Sequence, residues 1–216
     1  MRDQYRQQLD SVLTELVQMT DEVRAALSQA TTALLTANAA LAEEVISGDL
    51  AIDESRERIE DDSFDILARQ SPVAGDLRML VASLRMVADL ERMGDLSVHV
   101  AKVARLRYPT SAVPPSLVGT IEQMAQTADE MIASAAEIVA SRDVDAAREL
   151  EAADDTMDLL RESMFRILLS PSWSDGVEPA VDMALLGRYY ERIGDHAVSM
   201  GRKIVFLVTG QHPAHV

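Results

Sequence analysis

Two carboxylates four residues apart occur twice within the same pentapeptide. It reads Glu91-Arg92-Met93-Gly94-Asp95 and, a hundred residues on, Glu191-Arg192-Ile193-Gly194-Asp195. In a helix, positions i and i+4 share a face, so each copy sets a Glu beside an Asp. Like charges at that spacing repel, and a glycine in mid-helix costs about 1 kcal/mol relative to alanine. Two such costs, met twice, point to an internal duplication around a site that uses oxygen ligands. Carboxylates suit hard cations such as Mg²⁺, Mn²⁺ and Ca²⁺, and they hold iron as well.

The repeat is wider than the pentapeptide. Upstream the offset becomes 105, which lays Asp49-Leu50-Ala51-Ile52-Asp53 on Asp154-Asp155-Thr156-Met157-Asp158. The same offset lays Asn38 on Asp143, both good helix N-caps. It also lays Leu16 on Ile121, Met19 on Met124, Ala42 on Ala147 and Glu44 on Glu149. The chain therefore reads as three segments, repeated, with five residues fewer between the second and third segments of the second copy.

Helices must carry these segments. The composition is 48% apolar but only 4% aromatic, and Ala, Leu, Val, Met, Glu and Arg dominate. A first helix is expected over Gln4 to Leu35, with Leu9, Val12, Leu13, Leu16, Val23, Leu27, Ala30 and Leu34 as its apolar stripe. Asn38 caps a second helix, Ala39 to Gln70, which Ser71-Pro72 ends because the residue before proline avoids helical geometry. Pro72 suits the first turn of a third helix that runs to Tyr108, where Pro109 stops it. A fourth helix spans Leu117 to Ala140, a fifth runs on to Leu169, and a sixth spans Val177 to Thr209 with Gly210 at its end. The expected fold is all-α: two tandem antiparallel three-helix bundles, six helices, with an internal pseudo-two-fold repeat. The divisions are 1–109 for the first repeat, 110–116 for a linker containing Pro114-Pro115, 117–210 for the second repeat and 211–216 for a frayed tail. Short turns and the lack of a sustained heptad argue against a coiled coil.

Charge and composition exclude several functions. A formal net charge of −16 is wrong for a phosphate-backbone binder, so nucleic acid is not expected as a partner. Without cysteine there is no disulfide framework, thiolate metal site or cysteine nucleophile. No apolar stretch is long enough to span a bilayer, and Met1-Arg2-Asp3-Gln4-Tyr5 is not a signal peptide, so a cytoplasmic protein is expected. Neither a Walker loop nor a Rossmann fingerprint is present.

The doubled Glu-Arg-x-Gly-Asp, the Asp-x-x-x-Asp elements, Val45-Ile46-Ser47-Gly48-Asp49 and Pro72-Val73-Ala74-Gly75-Asp76-Leu77-Arg78 together resemble the PhoU family. The resemblance runs from about Gln8 to Gly210. Leu106-Arg107-Tyr108-Pro109 and Gly201-Arg202-Lys203-Ile204 are most similar to actinobacterial members.

That resemblance implies a regulator and not an enzyme. It implies a cytoplasmic, homodimeric adaptor that acts with a phosphate transporter ATPase and a sensor histidine kinase, represses the phosphate-starvation response and restrains phosphate uptake. It also implies metal clusters on the acidic motif, with Mg, Mn, Fe or Zn as the ion. The residues that match are Glu91 with Asp95 and Glu191 with Asp195, and Asp49 with Asp53 and Asp154 with Asp158 complete the two sites if the helices face each other. Four such carboxylates repel when empty, and a cation reverses that sign. Against this stands a solvated acidic face with Arg92 and Arg192 paired to neighbouring acids. A phosphatase-like metalloenzyme is a further alternative, disfavoured because no Glu-x-x-His motif accompanies the acids. A metal-free structural bundle is another, and it leaves the repeated acid pairs unexplained.

Other residues have plainer readings. His99 and His196 occupy non-equivalent positions of the repeat, which marks them as surface or pocket-edge residues. The helical methionines read as core filler. Trp173, beside Pro171, reads as a packing lid or a partner contact. Gly94 and Gly194 read as points of close helix packing beside the acids.

Overall fold

The computed structural model describes residues 2–211. Six helices make up the fold: α1 Arg2–Leu35, α2 Ala39–Gln70, α3 Ala74–Arg107, α4 Val118–Ser141, α5 Val144–Leu168 and α6 Val177–Thr209. No strand occurs among the described residues. The tail beyond Gln211 lies outside them.

Local chemistry sets the boundaries. Asn38 accepts the amide of Leu41 at 3.1 Å and starts α2. Asp143, its counterpart, accepts the amides of Asp145 and Ala146 at 2.9 and 3.1 Å and starts α5. Each cap satisfies amides that the first helical turn leaves without partners, an effect of about 1 kcal/mol. Gly210 closes α6 in the left-handed region, its amide on the Phe206 carbonyl at 2.8 Å.

Two boundaries differ from the sequence expectation. Pro72 lies outside α3, which begins at Ala74. Ser71 is left-handed ahead of the proline, and Val73 remains extended at φ −130° and ψ 159°, so the helical path starts only after it. The segment between the halves is also not entirely irregular, because Pro115–Leu117 makes a 3-10 turn that leads into α4.

The first three helices pack on one another, as do the last three, and the two bundles meet where α3 lies on α6 and α1 on α4. The expected apolar stripe of α1 is buried throughout, from Leu9 to Leu34. One apolar cluster runs through both bundles, including Leu80, Met86, Leu90 and Met93 of α3 and Met183, Leu186, Ile193 and Ile204 of α6. Each such fully buried side chain contributes about 1.5–3 kcal/mol. The methionines Met79, Met86, Met93, Met183 and Met200 are all core, as their spacing suggested.

Polar contacts define the seam between the bundles. Midway along α3, Asp89 meets His196 Nδ1 at 3.1 Å and also pairs with Lys203. Further along, His99 stacks on Tyr189, with ring centroids 5.3 Å apart. At the far end Arg107 grips Asp182 at 2.6 and 3.0 Å and pairs with Glu178. Rising numbers on α3 meet falling numbers on α6, so the two helices are antiparallel. On the α1–α4 side, Arg24 makes a two-pronged bond to Asp129 at 2.8 and 2.9 Å. These two residues occupy the same position of the repeat, which places them beside the approximate two-fold axis. Tyr190 is wholly buried, and its hydroxyl shares a 2.8 Å hydrogen bond with Thr31 of the other bundle. Burial pushes its phenol well above the ordinary tyrosine range.

The Tyr190–Thr31 bond provides a test of the seam. Tyr190→Phe leaves the buried Thr31 hydroxyl unpaired and should cost about 1–3 kcal/mol. Adding Thr31→Val removes the orphan, so the double variant should regain most of that loss in urea unfolding. A double variant less stable than Tyr190→Phe alone would contradict the pairing.

Candidate functional site

The two acid motifs lie on helices that face each other in each bundle. In the first, α2 brings Asp49 and Asp53 to α3, which presents Glu91 and Asp95. In the second, α5 brings Asp154 and Asp158 to α6, which presents Glu191 and Asp195. The motif glycines make the approach close. A methyl group on Gly94 would stand 3.0 Å from Ile52 Cδ1 and 3.5 Å from an Asp49 carboxylate oxygen. On Gly194 it would stand 3.2 Å from Met131 Sδ and 3.4 Å from an Asp154 carboxylate oxygen. Equivalent glycines thus bring equivalent aspartates against the pentapeptide helix.

The charges act on one another accordingly. Partial burial, followed by the charges of Asp95 and Asp53, raises the Asp49 carboxyl above its ordinary range, although Lys102 and His99 oppose them. Glu91 is raised by burial and by Asp95, against the pull of Arg92 and Arg56. The effect is largest at Asp154, where burial, then Asp195, Asp158, Glu191 and Asp155, push the carboxyl to about 6. All eight predicted acids therefore fall into two clusters of four, one in each bundle. The clusters are not identical in depth: Glu191 is buried, whereas Asp158 and Asp195 are exposed at the rim.

Arginines temper both clusters. In the first, Arg92 holds Asp95 at 2.9 Å and approaches Glu91 at 3.5 Å, while Arg56 lies 3.6 Å from Asp53. In the second, Arg161 lies 3.5 Å from Glu191 and 4.0 Å from Asp158, and Arg188 pairs with Glu191. Arg92 thus behaves as a neighbour-pairing residue, whereas Arg192 forms no ion pair among the described residues. Arg56 and Arg161 are repeat equivalents, each three residues after the second aspartate. Sequence reasoning passed over them, although the 105-residue offset that aligned the aspartates also aligns these arginines.

Donor chemistry can be tested directly on these residues. Each cluster offers oxygen only, a set that suits hard cations and lacks the nitrogen or sulfur that zinc favours. Asp154 is raised first by burial and then by the charges of Asp195, Asp158, Glu191 and Asp155, and it is this second, repulsive part that a cation would relieve. Among the described residues, no three His, Asp or Glu side chains form a ready-made metal cage.

Neither histidine is paired with a cluster acid, although His99 lies near enough to Asp49 to oppose its raised carboxyl. His196 bonds to Asp89 at the seam, and exposed His99 lies on Tyr189. Buried Asp89 was also missed. Its only sequence signal is an acid set between Val87 and Leu90 on an apolar helix. Trp173 packs against the core as a lid over its own loop, and its indole donates to the Gly176 carbonyl at 2.8 Å.

Six long helices in two like bundles, with a matching pair of carboxylate clusters, define an all-helical tandem-repeat protein. A family model described as "PhoU domain" matches the chain twice, over residues 16–104 and 121–204. The chain belongs to the PhoU family. It is 43% identical over 213 residues to "Phosphate-specific transport system accessory protein PhoU homolog 2" of Mycobacterium bovis, covering 99% of this chain and 100% of that one. A Rhizobium meliloti "Phosphate-specific transport system accessory protein PhoU homolog" is 32% identical, covering 84% of this chain and 77% of its own length. The crystal structure of PhoU from Pseudomonas aeruginosa matches with a TM-score of 0.88 at 28% identity, covering 96% of this chain and 100% of that one. A Streptococcus pneumoniae phosphate transport system regulatory protein PhoU shares the fold at the same TM-score and 21% identity, covering 98% and 100%.

The raised carboxyls carry a pH consequence. Because Asp154 binds its proton more tightly in the folded chain than in the unfolded one, its contribution to stability is intact below pH 3.8 and is lost as the pH rises through about 6. In chelator at pH 7, Asp154→Asn should therefore be more stable than the parent by about 1–2 kcal/mol, allowing for partial solvent screening. At pH 4 the difference should close. Equal stabilising effects at both pH values in urea titrations would show that the carboxylate charge is not the cause.

Proposed function

We propose that this chain is an accessory regulator of a phosphate transport system that works by protein contact and not by turnover. What carries the reading is the full-length likeness to relatives named for that role, together with two acid clusters that lack any nucleophile and base in partnership. Its partners are a phosphate transporter ATPase and a sensor histidine kinase, and its effect is to restrain uptake and the starvation response when phosphate is plentiful. Among the described residues no helix is long and apolar enough to cross a membrane.

In this reading the eight acids are structural metal ligands. Asp49, Asp53, Glu91 and Asp95 would hold cations between α2 and α3, and Asp154, Asp158, Glu191 and Asp195 would hold them between α5 and α6. A bound hard cation supplies positive charge that turns mutual repulsion into attraction. The chain's own part is to keep the facing helices close through Gly94 and Gly194 and to hold spare carboxylates on Arg56, Arg92, Arg161 and Arg188 until loading. Catalysis at these acids has no comparable support.

Two measurements test the proposal. Excess Mn²⁺ or Mg²⁺ should raise the melting temperature, by an amount equivalent to about 2.7 kcal/mol at a hundredfold excess over the dissociation constant. Asp95→Asn and Asp195→Asn should each shrink that response. A melting curve indifferent to cation and chelator alike would remove the metal. Separately, deletion of the gene should leave phosphate-starvation genes expressed in high phosphate. Normal repression in the deletion strain, or a purified protein that hydrolyses phosphate esters and stops when Glu91 and Glu191 are replaced, would overturn the adaptor role.

A further inference from the structure

The two ends of the α3–α6 seam are related by the repeat but are built differently. At one end, Arg107 of α3 is matched by Glu178 and Asp182 of α6. At the other end the same positions carry Leu207, Arg78 and Ala82. Both carboxylates are gone, and a cation stands where an acid stood. Arg78 lies against the end of α6, its guanidinium carbon 3.9 Å from where a side chain on Gly210 would begin. Its Nε is buried with no hydrogen-bond partner.

Beside this end is a cavity of about 550 Å³, between the beginnings of α1 and α3, the end of α6 and the α4–α5 turn. Arg6 and Arg142 line it. In a chain of net charge −16, whose arginines are mostly held by acids, Arg6, Arg78 and Arg142 make no ion pair among the described residues. Arg142 is held at its place by a left-handed backbone, φ 57°, with its amide on the Ile138 carbonyl at 2.8 Å. Gly75 borders the cavity in the first turn of α3, where Val73 provides no side-chain cap and nothing lies within 4 Å of the glycine's open side. The Asp76 amide turns back onto the Val73 carbonyl at 3.2 Å, and the earlier amides of this turn, with the guanidinium forks, favour an oxyanion.

The cavity is not uniformly basic. Asp10 and Asp76 also face it, the latter accepting the Tyr5 hydroxyl at 2.9 Å, and Leu9, Met79 and Leu207 give it an apolar wall. Its size is that of a small-molecule pocket and far exceeds a bare oxyanion. Cationic forks, carboxylate acceptors suited to sugar hydroxyls and an apolar wall suited to a flat ring occur together. We infer that this cavity is a binding site for a nucleoside phosphate. The phosphoryl group sits between Arg6, Arg142 and the start of α3, the sugar hydroxyls on Asp10 or Asp76, and the base on the apolar wall. The site lies outside both acid clusters and is independent of their metal.

The test is calorimetric titration of the full chain in chelator with AMP, adenosine and inorganic phosphate, so that no cation on the acid clusters can mediate binding. AMP should bind at least tenfold more tightly than either fragment. In NMR spectra it should shift the amides of Gly75 and Val208. Arg6→Gln/Arg142→Gln, both exposed positions, should weaken AMP at least tenfold with the melting temperature unchanged. Arg192→Gln, which removes an unpaired arginine elsewhere, should leave binding intact. AMP binding no better than inorganic phosphate would reduce the cavity to a simple anion site and overturn the proposal. So would binding that survives the double substitution, or shifts that bypass Gly75 and Val208.

Discussion

Everything in this structure depends on α3 and α6 each being enclosed by three other helices. α3 touches α1, α2 and α6, and α6 touches α4, α5 and α3. The buried residues of both helices spread well beyond one stripe. They need small side chains where neighbours come closest, and Ala82, Ser83, Gly94, Ser97 and Ala101 of α3 provide them, as do Gly187, Gly194, Ala197 and Gly201 of α6. The glycines cost helix propensity and return proximity. That proximity sets the aspartates of α2 and α5 against the pentapeptide acids, and the raised Asp154 carboxyl is its electrostatic signature.

Much of this was legible because the repeat supplies two independent copies of each signal. Helix boundaries governed by local chemistry could be read directly, as at Asn38, Asp143 and Gly210. The start of α3 could not, because Pro72 is compatible with a first helical turn and also with an extended approach, and only the left-handed Ser71 decides between them. The pairing of the eight acids followed from spacing plus the assumption that adjacent helices face each other. The depth of each acid did not follow, since burial of Glu191 and exposure of Asp195 depend on packing around α6 as a whole.

Contacts across the seam were the least legible. Asp89 with His196 and Lys203, and Arg107 with Glu178 and Asp182, join residues far apart in sequence that break the repeat. A search for similarity passes over such positions by construction. Comparing the copies for their differences recovers them: Arg107 against Leu207, Asp182 against Ala82 and Asp89 against Tyr189 all mark the seam. Likeness between the repeats traces the bundles, and unlikeness traces how the bundles meet.

Arg24 and Asp129 carry that idea to its limit. In a symmetric pair of separate, identical chains, a position on the two-fold axis meets its own copy, so any charge there faces the same charge. Covalent fusion lifts that prohibition, and here one copy is basic and the other acidic, locked in a two-pronged bond. The two halves are thereby complementary at this position. Two first halves would set guanidinium on guanidinium, two second halves carboxylate on carboxylate, and only the unlike pairing closes. A position that symmetry would set against its own copy thus becomes an attractive contact once the two copies share one chain, and it adds to the polar contacts that pair unlike halves along the seam.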